Sequence, residues 1–170
     1  DYFGTEVVEF EISRPHRKLT IDVRARVSTK APAEPPRAPW NALSDTAYIE
    51  AGGEFLLQSD DAPTHPVLIE LLAATRAAST PLDALLLICE LIPGRFEYRR
   101  GATYVDSTVE DLLDVGAGVC QDFVHLGLCV LRHHGIAARY VSGYLFATNG
   151  DGHLEESVEV DTHAVSYTHL

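Results

Sequence analysis

The sequence contains no methionine and a single tryptophan, Trp40. With no initiator present, the natural N-terminus is expected to lie upstream of Asp1, together with any targeting signal it carried. Long apolar runs are missing as well. The longest candidate, Leu85 to Ile88, falls far short of the roughly 20 residues a membrane-spanning helix needs, and no signal-peptide pattern opens the chain. Positive charge is scarce: 13 basic against 25 acidic residues leave a net charge of −12. That balance repels phosphate backbones and anionic bilayers, so neither nucleic acid nor a membrane is an expected partner. Cysteine is limited to Cys89, Cys120 and Cys129, an odd and sparse set in a chain large enough to fold without disulfides. Free thiols in a reducing compartment are expected, the cytoplasm by default. No Asp-x-Asp-x-Asp-Gly calcium loop and no internal repeat are found.

What is present suffices for one sizeable core, since 46% of the 170 residues are hydrophobic. From Leu19 to Val27 apolar and polar residues alternate, the period of a strand with one face buried. Val8, Phe10 and Ile12 alternate with Glu9 and Glu11, and the segment from Ser13 to Lys18 would join the two as a hairpin. Four prolines, at 32, 35, 36 and 39, then mark a linker between Lys30 and Trp40. Beyond it the period becomes helical. Helices are predicted over Pro66 to Ala78, from Thr80-Pro81 to Ile92 with Pro93-Gly94 as the stop, and from Ser107 to Asp114 behind a Ser107/Glu110 capping box. A longer helix is predicted from Cys120 to His133, stopped by Gly135, and a strand from Ala138 to Phe146.

Cys120 follows the glycine-bearing turn Gly116-Ala-Gly118 and sits in the first turn of that long helix. Unpaired backbone N–H groups and the positive end of the helix dipole gather there, and both stabilise an anionic sulfur. The same N–H groups are suited to an oxyanion formed when sulfur attacks an acyl carbon. Position alone is equally consistent with a small buried hydrophobe at a helix start.

Four segments resemble the bacterial transglutaminase-like superfamily in order and spacing. They are Phe96 to Thr103, Gly118-Val-Cys120-Gln-Asp122-Phe-Val-His125-Leu, Gly135-Ile-Ala-Ala-Arg139-Tyr-Val-Ser-Gly143-Tyr144, and Asp161-Thr-His163-Ala164. Tyr2-Phe-Gly4 and Pro15-His-Arg17 resemble the β-rich region found before such domains. The resemblance implies an α+β fold: a papain-like core whose central helix packs on an antiparallel sheet, after a small β-rich N-terminal region. Residues 1–40 would be that region with its linker, and 41–164 the transglutaminase-like domain. It further implies a cysteine-dependent acyl transfer on peptide or amide bonds, as in a protease, amidase or transglutaminase, with Cys120 as nucleophile and His163 as general base. The substrate would be a peptide or protein bearing an amide or glutamine group, and no cofactor and no metal are implied. The family's third catalytic member, an aspartate on the strand after the histidine, has no counterpart in this chain. Asp122 and Asp161 are not taken as substitutes, and the chain as given is expected to be impaired. The last six residues, Val165-Ser-Tyr-Thr-His-Leu170, equal the translation of the sequencing-library adapter GTCTCTTATACACATCT and are expected to be a non-native tail.

The alternative of another class is a non-catalytic domain that binds a peptide or protein on the same fold. A third reading starts from His125, Cys129 and His133, which recur every four residues on one helix face. Three ligands on one helix make a poor tetrahedron, and their apolar neighbours mark a core helix, so no metal is assigned to them. Asp122 is expected to serve the helix start, Gln121 to be exposed, and Arg139 and Tyr140 to fix core and rim.

Overall fold

The computed structural model describes residues 8–21, 28, 30, 33, 35–58, 64–144 and 162–168, the side chains of 144, 162, 163 and 165–168 excepted. The chain divides into two compact units, Asp1–Ala33 and Glu34–Leu170. In the first, residues 8–21 are irregular and exposed, so the expected strand through Val8, Phe10 and Ile12 is not formed. Val8 is 81% and Phe10 60% exposed. Alternation specifies a strand only where a surface buries one face, and a lone two-stranded hairpin is marginal in water. Residues 22–27, most of the second expected strand, lie outside the described residues.

The second unit opens with a 3₁₀ turn at Trp40–Ser44, followed by helix α1, Thr46–Gly52, and another 3₁₀ turn, Gly53–Leu56. Then come α2 (Pro66–Arg76), α3 (Pro81–Arg95), β1 (Glu97–Tyr98), α4 (Val109–Val115), β2 (Ala117–Gly118), α5 (Cys120–His133), β3 (Ala138–Tyr144) and β4 (Thr162–Thr168). Two expected boundaries move. Helix α3 runs through Pro93 instead of stopping before it. Proline's fixed φ is helical, and so late in the helix its missing N–H costs one carbonyl bond. Helix α4 is capped by Thr108 rather than Ser107: Thr108 Oγ1 accepts from the Asp111 N–H, and Asp111 accepts back from the Thr108 N–H at 2.7 Å. Ser107 is engaged elsewhere, its hydroxyl accepting from the Tyr104 N–H at 2.9 Å.

Helix α5 is the centre of the unit, touching α2, α3 and α4 as well as β3 and β4. Leu126, Val130 and Leu131 on it are fully buried with Leu112, Ile136 and Ala138. It ends as its sequence predicts. Gly135 takes a φ of 75°, and the Ile136 N–H reaches back to the Leu131 carbonyl at 3.0 Å, a Schellman-type close. The chain then turns into β3, which pairs antiparallel with β4 from Ala138↔Thr168 to Tyr144↔Thr162. This is the α+β arrangement of a helix on an antiparallel pair. Four residues of the terminal hexapeptide, 165–168, are thus part of β4. The start of β3 is fastened by Arg132, whose guanidinium donates to the Ala138 carbonyl at 2.7 and 3.0 Å and to the Leu57 carbonyl at 3.0 Å. Among the described residues, no helix is long and apolar enough to cross a membrane.

Trp40 seats the proline-rich segment on the helices. Its indole N–H donates to the Ala78 carbonyl at 2.8 Å, and its ring meets His134 edge-on at 5.8 Å. Arg37 is ion-paired with Asp83 nearby. His134 Nε2 lies 2.7 Å from Thr75 Oγ1. Burial first, then the charges of Arg76 and His133, hold its imidazole below the ordinary histidine range. The unfolded chain therefore binds this proton at a higher pH than the folded one. The contribution of His134 to stability is complete above about pH 6.5 and is lost as pH falls toward the lowered folded value. Urea midpoints between pH 7.5 and 5.5 should fall more for the wild type than for a His134→Gln variant. An equal fall in both would assign the pH dependence to other groups.

Candidate active site

Two short strands prepare the turn before α5. β1 and β2 pair in parallel, Glu97↔Ala117 and Tyr98↔Gly118, and the Arg99 N–H donates to the Gly118 carbonyl at 2.9 Å. Gly118 has no room for a side chain: a Cβ there would stand 2.7 Å from Asp122 Oδ2 and 2.8 Å from Leu112 Cδ1. Gly116 closes α4 in the left-handed region, with a φ of 70°. Each glycine of the motif thus has a separate steric reason, and together they deliver the chain to Cys120, the first residue of α5 and half-buried.

Asp122 secures this start. It is 3% exposed, and its Oδ2 accepts from the Val119 N–H at 2.7 Å and from the Thr103 hydroxyl at 2.6 Å. One bond satisfies an orphan donor of the helix start, and the other ties down the 99–107 loop. Gln121 makes a second tie, its amide donating to the Val105 carbonyl at 3.0 Å. The residues on either side of this pair of ties have different tasks: Phe123 packs against Phe96 and, edge-on, against Tyr98, with ring centres 6.4 and 6.0 Å away.

On the β3 side stands Tyr140, 41% exposed, its ring 5.4 Å from that of His125. Burial, and after it the charge of Cys120, push the Tyr140 phenol up, so it stays a neutral hydroxyl at physiological pH. The sequence placed Tyr140 on a core-and-rim strand, and only the fold brings it to His125 of α5.

His163 lies on β4, paired with Gly143 of β3, and β4 packs on the helix that Cys120 begins. The His163 side chain is outside the described ones. Its neighbour Ala164 is buried, and shares with Ile88, Cys89, Ile92, Phe123 and Gly127 an apolar groove of about 350 Å³ that Cys120 does not line. The other thiols differ in setting. Burial, and then the charge of Glu90, push Cys89 up, while burial pushes Cys129 up against a smaller opposing effect of Arg132. Of the His125, Cys129 and His133 face, His125 lies on Tyr140, while His133 Nδ1 sits 2.8 Å from the Cys129 carbonyl of its own helix and 3.7 Å from the Cys129 sulfur.

A thiol on the first turn of a central helix, with an antiparallel pair laid against that helix, is the arrangement of a papain-like cysteine enzyme fold. The sequence profile of the Transglutaminase-like superfamily matches residues 70–167, and the chain belongs to that superfamily. A solved structure of a candidate cysteine protease from Cytophaga hutchinsonii superposes with a TM-score of 0.52 at 27% identity, over 69% of this chain and 38% of that one. Among curated proteins, an uncharacterized protein of Mycobacterium leprae is 34% identical over 166 residues, covering 96% of this chain and 59% of its own length. An uncharacterized protein of Mycobacterium tuberculosis is 32% identical over 173 residues, with 96% and 55% covered. The chain therefore spans little more than half the length of these relatives.

Proposed function

We propose that the domain carries out cysteine-dependent acyl transfer on peptide or amide bonds, with Cys120 as nucleophile and His163 as general base. The observation that carries this reading is the position of Cys120 as the first residue of α5, behind a turn in which Gly118 has no room for a side chain and Gly116 takes a left-handed φ. In the proposed cycle the His163 imidazole takes the thiol proton and the sulfur attacks the amide carbonyl. The tetrahedral oxyanion, met by N–H groups at the helix start, collapses to a thioester as the amine leaves with the proton from His163. Water or a second amine then attacks the thioester and regenerates the thiol. Peptide and protein amides are the proposed substrates, and the cytoplasm the proposed compartment. The depression of positive charge along the chain fits a substrate that is not an anionic polymer.

Alkylation kinetics test the nucleophile. At pH 7 iodoacetamide should modify Cys120 at least about 10-fold faster than exposed Cys89 or half-buried Cys129, because only thiolate reacts and the pKa of each of those two thiols is pushed up. A His163→Ala variant should lose most of that difference. Equal slow labelling of all three thiols in the wild type would favour the non-catalytic binding domain instead.

A further inference from the structure

The 99–107 loop shows an unusual division between what is fastened and what is left in solvent. Thr103 is bound to Asp122, two residues after Cys120, and the Val105 carbonyl is bound to Gln121, one residue after it. Tyr104 lies between these two anchors, its Cα about 3.8 Å from each neighbour. Its own backbone is fixed too, with the N–H donating to Ser107 Oγ at 2.9 Å and the carbonyl accepting from the Ser107 N–H at 3.1 Å. Yet Tyr104 is 77% and Val105 88% exposed.

A loop held by four hydrogen bonds presents two large apolar side chains to water, next to the start of the nucleophile's helix. On the strand side, Tyr140 stands half in solvent against His125. Exposed apolar side chains on a rigid frame lose little conformational freedom when a ligand covers them, which favours binding. We propose that Tyr104, with Val105, forms the acyl-side subsite of the Cys120 centre, and that it selects donors carrying an apolar or aromatic side chain beside the reacting carbonyl. This rests on Cys120 being the reacting thiol. Tyr104 is a specificity-determining residue that touches the donor's side chain and takes no part in proton transfer.

Two alkylating probes with one warhead test this: the chloromethyl ketones of N-acetylphenylalanine and of N-acetylglycine, each reacted with the whole chain while labelling at Cys120 is followed. The phenylalanyl probe should label about 10-fold faster than the glycyl one, the order of discrimination an apolar contact provides. Tyr104→Ser should bring the ratio close to one while leaving the iodoacetamide rate within about 2-fold. Val105→Ser, which keeps the carbonyl that Gln121 binds, should lower the ratio by a smaller factor. A wild-type ratio near one, or a ratio that Tyr104→Ser leaves unchanged, overturns the subsite. Shift changes at the Tyr104 ring on adding N-acetylphenylalaninamide, but not N-acetylglycinamide, read the same contact without any thiol chemistry. Those shifts with an inert Cys120 would keep the subsite and reject the nucleophile, whereas a reactive Cys120 with neither shifts nor a ratio would do the reverse.

Discussion

The chain should release a stoichiometric burst of p-nitrophenol from p-nitrophenyl acetate, and Cys120→Ser should abolish that burst and lower steady-state turnover by roughly 10³-fold or more. Serine preserves size and the local hydrogen-bonding pattern but keeps its proton near neutrality, so the loss reports chemistry and not packing. The activated ester is the appropriate substrate because its leaving group needs little help from an acid, which makes acylation visible even where the base is poorly oriented. Cys89→Ser and Cys129→Ser should keep the burst, since the pKa of both thiols is pushed up and neither lies at the start of α5. A full burst from the Cys120→Ser variant would remove the proposed mechanism.

Asp122→Ala is expected to destabilise the fold by about 2–4 kcal/mol. The carboxyl group is buried and accepts two hydrogen bonds, so the variant strands the Val119 N–H and the Thr103 hydroxyl at once. Each buried donor left without a partner costs about 1–3 kcal/mol. Asn at this position can still accept one of the two bonds, and Asp122→Asn should recover part of the loss. Urea denaturation of the three proteins provides the measurement. A midpoint for Asp122→Ala matching the wild type would show that water or a neighbour replaces both bonds. Because the same oxygen fastens the 99–107 loop, Asp122→Ala should also shift the alkylation rate of Cys120, an effect that a remote core cavity of equal cost would lack.

Much of this architecture follows from local pattern. The start of α5 at Cys120, its end before Gly135 and the beginning of β3 at Ala138 were all legible, because a glycine turn, a 3.6-residue period and a β-branched, aromatic-rich run each act over a few residues. What depends on partners was not. Ser107 and Thr108 are equally good caps by type, and the choice fell to Thr108 once the Tyr104 N–H had engaged Ser107. β1 and β2 are two residues each and carry no period at all; their pairing is visible only in three dimensions. The alternation around Val8 and Phe10 predicts a strand that has no covering surface among the described residues. Within the candidate site, the sequence supplied Cys120 and His163 through resemblance, and Asp122 through its place in the first helical turn. It had no signal for the Thr103 and Val105 anchors or for Tyr140, whose contacts with α5 span 15 to 19 residues. The pairing of His163 with Gly143 belongs to the same class, since register is a property of two strands.

Helix α5 is tethered at both extremities, by Asp122 to the loop before it and by Arg132 to the Ala138 and Leu57 carbonyls after it. It cannot tilt or slide without breaking one tether or the other, so it serves as the stationary frame of the unit. Any widening of the approach to the sulfur has to be a displacement of the flanking segments, and engineering for a broader donor range belongs at their solvent-facing residues.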